Sequence, residues 1–399
     1  MKKFSSQLPM LGMLVLMDIT TSIETDIYVP GLPQIIKDLA CSENAIQSIF
    51  SLNLIGICLA SLICGPLSDR YGRKRTLLLS FGLFLISSVA CTYSSSLSML
   101  ATWRFIQGIG SAAPLVIGTA LLLELYSIET AAALIGILNS ISTATIALAP
   151  LLGTWLNEVF SWRATFAFVS LLALGSWIGI LFFIPKSIDK SKSSSVELST
   201  TLKGFIQVLK NPSFLVYSVI CTLTFGCIMV YLSNLSLVLI DHLKISLRHF
   251  GLYQSITMVS FCLSSILSGL MIKKYSVGKV KDFSLFLIST GGLAFFLIAV
   301  LMPTSALAIC LSMGLFVIGV GLGVGSLGAS AIDAVPTLGA TASSALTAMR
   351  LGVTALMVSL SGQFFNGTIF PSASIVLASS LIILLSYLWL KNHLRNLLT

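Results

Sequence analysis

The chain has 399 residues, of which 56% are hydrophobic and 9% charged, and it carries a formal net charge of +9. A soluble domain cannot bury that much apolar surface, so the composition excludes a soluble globular protein and leaves a polytopic membrane protein. The basic excess does not point to nucleic acid, because lysines and arginines are spread over many short segments without aromatic interleaving, and the absence of any C-x-x-C pair among the eight cysteines speaks against metal or disulfide chemistry.

A helical span takes about 20 apolar residues. Apolar runs between charged or Pro/Gly-marked breaks predict twelve spans, at 8–36, 44–64, 76–93, 97–122, 130–156, 163–184, 213–240, 249–271, 283–302, 305–330, 337–363 and 370–390. The first run is too long for a cleaved signal peptide and carries Asp18, Glu24 and Asp26 where an apolar core would be needed. Residues 185–212 form the one long hydrophilic stretch, a flexible basic linker between a six-helix bundle over 1–184 and a second over 213–399. Lys2, Lys3, Arg70, Arg73, Lys74, Arg75, the linker lysines, Lys273, Lys274, Lys279, Lys281, Lys391 and Arg395 fall on one side of the bilayer, against Lys37, Arg163, Lys244 and Arg248 on the other. That bias places both termini in the cytoplasm.

The first span is chemically the most loaded. An ionised carboxylate at mid-bilayer costs about 2.5–3.5 kcal/mol on insertion scales, so three on one helix must face water, pair with a base, or take up protons. A carboxylate whose proton occupancy changes with exposure is what proton-coupled transport requires. Asp18 and Asp26 lie roughly 12 Å apart along a helix and about 80° around it, so both could line one cavity. Glu24 and Asp26 lie about 160° apart, so one of them faces another surface. Pro30 and Pro33 with Gly31 should kink or loosen the outer part of this helix, and Asp26 could alternatively cap that kink.

The second span runs past Asn53 into Gly65-Pro66-Leu67-Ser68-Asp69-Arg70-Tyr71-Gly72-Arg73-Lys74-Arg75. Its glycines and proline mark a tight turn, and its cations mark a cytoplasmic loop. The spacing resembles the major facilitator superfamily signature G-x-L-x-D-R-x-G-R-K-x between helices 2 and 3, with every fixed position present. Asp26-Ile27-Tyr28-Val29-Pro30-Gly31-Leu32-Pro33 resembles span 1 of the twelve-span drug:proton antiporters, above all the Bcr/CflA-like drug-resistance group. There the Asp of D-x-Y-x-P-x-L-P is functional, and in a related group a second acid sits eight residues earlier, at the position of Asp18.

The fourth span contains Arg104-Phe105-Ile106-Gln107-Gly108-Ile109-Gly110. A buried arginine keeps its charge and needs acceptors, so Arg104 either sits near Asp26 or snorkels to the outer interface. R-x-x-Q-G-x-G resembles the family's span 4 motif, whose arginine assists proton transfer. Glu124, at the inner end, is expected to pair with Arg70 or Arg73 as a gate tie. Gly65, Asp69 and Gly72 complete that conformational switch by resemblance. In the fifth span, Ala147-Leu148-Ala149-Pro150-Leu151-Leu152-Gly153-Thr154 resembles the antiporter motif, with alanines and a threonine where glycines are usual. Asn139 on the same span could face a cavity.

The second half repeats the first faintly: Gly269 to Tyr275 lies 204 residues after Gly65 to Tyr71, as expected of a transporter built from parallel repeats. It has no counterpart of Arg104. Tyr231, Asn234, Gln254 and Arg350, with Asn53 and Asn139, are candidates for a substrate cavity or for hydrogen bonds between helices. Together the residues and the resemblance imply an all-α major facilitator fold, with twelve transmembrane helices in two pseudo-symmetric six-helix halves. They imply a monomeric, non-enzymatic, proton-coupled exporter of small lipophilic molecules such as drugs, in a bacterial inner membrane. The alternatives are an exporter dedicated to a metabolite such as a siderophore, or an uptake symporter. No cofactor or metal is expected: the proton gradient supplies the energy, and no Walker loop or H-E-x-x-H occurs.

Overall fold

The computed structural model describes residues 8–184 and 198–398, and among these every regular element is helical. The long helices are α1 (Leu8–Asp26), α2 (Ser48–Tyr71), α3 (Arg73–Thr92), α4 (Leu97–Ala113), α5 (Ile128–Val159) and α6 (Trp162–Phe183), then α7 (Pro212–Ser236), α8 (Leu247–Tyr275), α9 (Val277–Leu301), α10 (Ala306–Asp333), α11 (Gly339–Gln363) and α12 (Phe370–Leu398). Eleven helices among the described residues are long and apolar enough to cross a membrane. The exception is α1, which has 19 residues and three carboxylates. Large side chains such as Leu79 (71% exposed) and Phe182 (75% exposed) point away from the protein, as a lipid-facing surface requires.

The helices group into two compact units. One holds residues 1–42 and 48–196, and the other holds 43–47 and 197–399. The short helix Glu43–Ile46 therefore belongs to the second unit, although it precedes α2 in sequence. In the first unit α1 packs on α5 and α6, while α4 packs on α2 and α3. The α2–α4 seam is built for close approach: a methyl at Gly56 would strike the Phe105 carbonyl, and one at Gly108 would strike the Asn53 carbonyl. In the second unit a methyl at Gly319 would strike the Ile288 backbone and one at Gly321 the Ser264 side chain, so these two glycines of α10 serve helix packing, while Gly325 and Gly328 face open space.

Four expectations are corrected. The predicted first span, 8–36, is not one helix. α1 stops at Asp26, a 3-10 turn covers Val29–Gly31, and a short helix covers Leu32–Asp38. Pro30 and Pro33 lack the N–H groups that would continue the ladder. The Gly65–Arg75 stretch is not a loop either. α2 carries Pro66 inside it and runs on to Tyr71, because one missing N–H is tolerated in an apolar helix, and the reversal occupies Gly72 alone. Of the expected flexible linker, 185–197 lies outside the described residues, and Leu198–Leu209 is helical. A π-helical turn over Pro114–Gly118 also interrupts the predicted fourth span, and the chain continues as Thr119–Leu125.

Gly72 adopts φ 93° and ψ 143°, and Ser276, 204 residues later, adopts φ 89° and ψ 152° between α8 and α9. The sequence repeat is thus a backbone repeat, with a serine forced into a region that suits glycine. Such a residue costs about 1–3 kcal/mol. Ser276→Gly is therefore expected to stabilise the protein by about 1 kcal/mol and Gly72→Ala to destabilise it by about 1–3 kcal/mol. Chemical unfolding in detergent checks both, and a neutral Gly72→Ala would contradict the account.

Candidate functional site

The break after Asp26 leaves the end of α1 facing α2, α4 and α5. Pro30 has no N–H for the Asp26 carbonyl, so the chain turns there and carries Tyr28 inward, where its ring lies 5.1 Å from that of Phe50 and 5.5 Å from that of Phe166. On α5, Gly153 permits contact with this turn: a side chain there would collide with the Ile27 carbonyl. Pro150, Gly153 and Thr154 are all buried. The antiporter-like motif of α5 therefore lies against the broken end of α1.

Arg104 and Glu24 form an ion pair between α4 and α1, both of them essentially inaccessible to solvent. The arginine also donates to Gln107 Oε1 at 2.6 Å and to the Tyr28 hydroxyl at 3.3 Å, with its guanidinium 4.5 Å above the Tyr28 ring. Gln107 in turn donates to Ser88 on α3 at 2.8 Å, and Ser88 donates to the Phe84 carbonyl at 2.7 Å. Asn53 on α2 donates to the Arg104 carbonyl at 3.1 Å and to Glu24 at 3.5 Å. A guanidinium cannot shed its charge, and burying it stays tolerable only with this many acceptors.

Of the two placements expected for Arg104, the structure gives the one near Asp26 and not the snorkelling one, but the carboxylate that forms the ion pair is Glu24. The helical wheel put the two acids on different faces, and α1 is rotated so that Glu24 meets α4. Asp26 is 2% exposed, feels the charges of both Glu24 and Arg104, and has one carboxylate oxygen, Oδ1, buried without a hydrogen-bond partner. The site thus contains two carboxylates and one guanidinium, with three buried polar atoms left unpartnered: Asp26 Oδ1, Asn53 Oδ1 and Arg104 Nε. Asp18 lies apart from this cluster. It is half-buried and accepts a hydrogen bond from Ser142 on α5.

At the Gly72 end of the unit, Arg73 bridges Asp69 at 2.7 Å and Glu124 at 2.7 Å, and it also bonds Ser68. Of the two arginines expected for Glu124, Arg73 is the partner. Arg70 is exposed and lies 5.3 Å from the centre of the Tyr71 ring. Glu124 is half exposed, which limits a pair of this kind to about 1 kcal/mol or less. Glu124→Gln is expected to shift the unfolding midpoint little. It should alter transport if the Arg73 bridge controls opening, and unchanged transport kinetics would remove any gating role from that bridge.

The other candidates separate cleanly. Asn139 is exposed and Gly65 half-buried. Tyr231 and Asn234 are fully buried inside the second unit and do not line an open face. Tyr231 bonds Cys310 at 3.3 Å and Thr257 at 3.4 Å, while Asn234 donates to Ser361 at 2.6 Å and Ser372 at 3.0 Å and accepts from Gln47 at 2.9 Å. Gln254 is fully buried with neither amide atom hydrogen-bonded. Arg350 is half-buried on α11. Ser88 and Ser142 were not singled out from sequence, since an isolated hydroxyl in an apolar helix carries no signal until its neighbours are known, and Tyr28 stood out only as a fixed position of the span 1 motif.

A family model described as Major Facilitator Superfamily matches residues 13–358. The chain is 26% identical over 379 residues to a bicyclomycin resistance protein homolog of Haemophilus influenzae, covering 93% of each protein. It is 28% identical over 311 residues to the chloramphenicol resistance protein CraA of Acinetobacter baumannii, covering 78% of this chain and 74% of that one. It is 29% identical over 223 residues to the multidrug resistance protein MdtL of Escherichia coli O157:H7, covering 54% of each. Among solved structures, the nucleoside transporter NupG aligns with a TM-score of 0.75 at 15% identity, covering 96% of this chain and 98% of that one. The xylose transporter XylE of E. coli aligns at 0.72 and 14%, covering 97% and 98%. With the family match running through both units and two solved transporters sharing the fold, the chain belongs to the major facilitator superfamily of membrane transporters.

Proposed function

We propose that the protein is a proton-coupled exporter of small lipophilic molecules, working by alternating access in a bacterial inner membrane with both termini in the cytoplasm. One observation carries this proposal: the buried Glu24–Arg104 pair stands beside Asp26, whose Oδ1 has no partner. With Asp26 ionised, two carboxylates share one guanidinium. A proton taken up at Asp26 leaves a one-to-one pair, so the charge of the site changes with proton occupancy while Arg104 stays charged. Asp18, half-buried on the same helix, offers a second carboxylate for substrate or proton. The six-helix units act as bodies in the transport cycle, and the Asp69–Arg73–Glu124 bridge ties helices at the cytoplasmic end. Similarity to resistance proteins named for bicyclomycin and chloramphenicol favours drug-like substrates.

The test uses everted vesicles with a preformed acidic interior, a pH-sensitive dye, and a panel of cationic dyes, neutral antibiotics and siderophores. A compound that drains the gradient through the protein supports antiport and names the substrate class. Failure of every compound, together with protein-dependent accumulation of one of them in cells, would reverse the assigned direction.

A further inference from the structure

The two membrane-embedded arginines have opposite surroundings. Arg104 has its acceptors built in. The Nε of each is buried without a partner, but where the terminal nitrogens of Arg104 meet Glu24, Gln107 and Tyr28, the guanidinium of Arg350 donates to no described residue of its own unit. The carboxylates described in the second unit are placed elsewhere. Glu43 bonds His242, Asp241 pairs with Lys244, Asp282 is taken by Tyr387 and Lys391, and Asp333 closes α10. What Arg350 does have is an aromatic floor, with its guanidinium 5.1 Å from the centre of the Phe225 ring.

Arg350 lies midway along α11 and Phe225 midway along α7, far from either headgroup layer in a bilayer core of about 30 Å. A lipid phosphate is therefore out of reach. Next to Phe225 on the same face of α7 are Ser218 and Thr222, and one turn beyond Arg350 on α11 is Thr354. All three hydroxyls are buried without a hydrogen-bond partner. The α7–α11 seam thus combines a permanent cation, an aromatic ring beneath it, and three unused hydroxyls. A charged group at mid-membrane without a partner is a functional site by default, and a planar guanidinium matches a planar pair of oxygens.

We propose that Arg350, held on Phe225, binds a carboxylate of the transported molecule, so that the substrates include lipophilic organic acids or zwitterions. This rests on the protein's being a small-molecule transporter, but not on export or proton coupling.

The test is equilibrium binding to the full chain in phosphatidylcholine nanodiscs, with naphthoate and its uncharged methyl ester as paired probes. The native protein is expected to prefer naphthoate by about tenfold or more, as a charge-assisted hydrogen bond allows. Arg350→Gln should abolish the preference and leave ester binding unchanged. Arg350→Lys, which keeps the charge but loses the fork, should retain part of it and provides the test if the glutamine variant does not fold. The proposal is overturned if native protein binds neither probe or does not discriminate, if Arg350→Gln weakens both probes equally, or if Arg350→Lys leaves the preference at its native value. Because binding requires no gradient, a carboxylate preference together with failed proton release would overturn only the antiport proposal.

Discussion

Glu24→Ala with Arg104 left in place is expected to destabilise the protein by about 3–5 kcal/mol, because it leaves an uncompensated charge in the interior. The surroundings make this substitution severe. Glu24 and Arg104 are both buried, Arg104 is engaged by Gln107 and Tyr28, and Asn53 reaches Glu24 from α2. The nearest carboxylate able to take over is Asp26, two residues on at the end of α1 and about 160° around the helix from Glu24. Removing both charges, as Glu24→Leu with Arg104→Met, should recover most of the loss, since an apolar pair of similar volume often substitutes for a buried ion pair at little cost. A double-mutant cycle by chemical unfolding in detergent measures this, and coupling of about 2 kcal/mol or more is expected. Additive effects would mean that the pair is not energetically coupled. Transport should be lost in Glu24→Ala and in the refolded double variant alike, which separates the stability of the pair from its role in coupling.

The parts of this site legible in the sequence were those that violate the composition of a membrane helix. Three acids in α1 and an arginine in α4 stand out in a chain with 9% charged residues, and their motif spacing identified the architecture. The helical wheel separated Glu24 from Asp26 but could not say which of them meets α4. That rotation is set by distant contacts: Gly153 of α5 against the Ile27 carbonyl, and Thr20 of α1 against Ser176 of α6 at 3.0 Å. For a similar reason Gly65 and Pro66 suggested a loop. Local propensity disfavours helix there, yet packing carries α2 to Tyr71, and the chain reverses where Gly72 adopts positive φ. The positive φ of Ser276 was hidden because serine gives no such signal, and only its register with Gly72 accounts for it. In the second unit the sequence could not rank Tyr231, Asn234, Gln254 and Arg350. A polar side chain in an apolar helix reads the same whether neighbouring helices satisfy it, as for Asn234, or leave it without a hydrogen-bond acceptor among the described residues, as for Arg350.

Asp26→Asn carries the second large effect. The change is nearly isosteric and removes a buried negative charge whose Oδ1 has no partner, so the fold and its unfolding midpoint should be retained. What is lost is the group that takes up the proton. Substrate exchange across the membrane without a gradient should persist, because it needs the binding site and the conformational change but no net proton transfer. Substrate-driven proton release should fall to the level of empty vesicles. The most direct measurement is therefore proton release and substrate counterflow, recorded side by side in the same everted vesicles for native protein and Asp26→Asn. Counterflow retained with proton release abolished is the predicted result. Proton release equal to the native protein's would contradict the central claim and move the proton to Glu24 or Asp18.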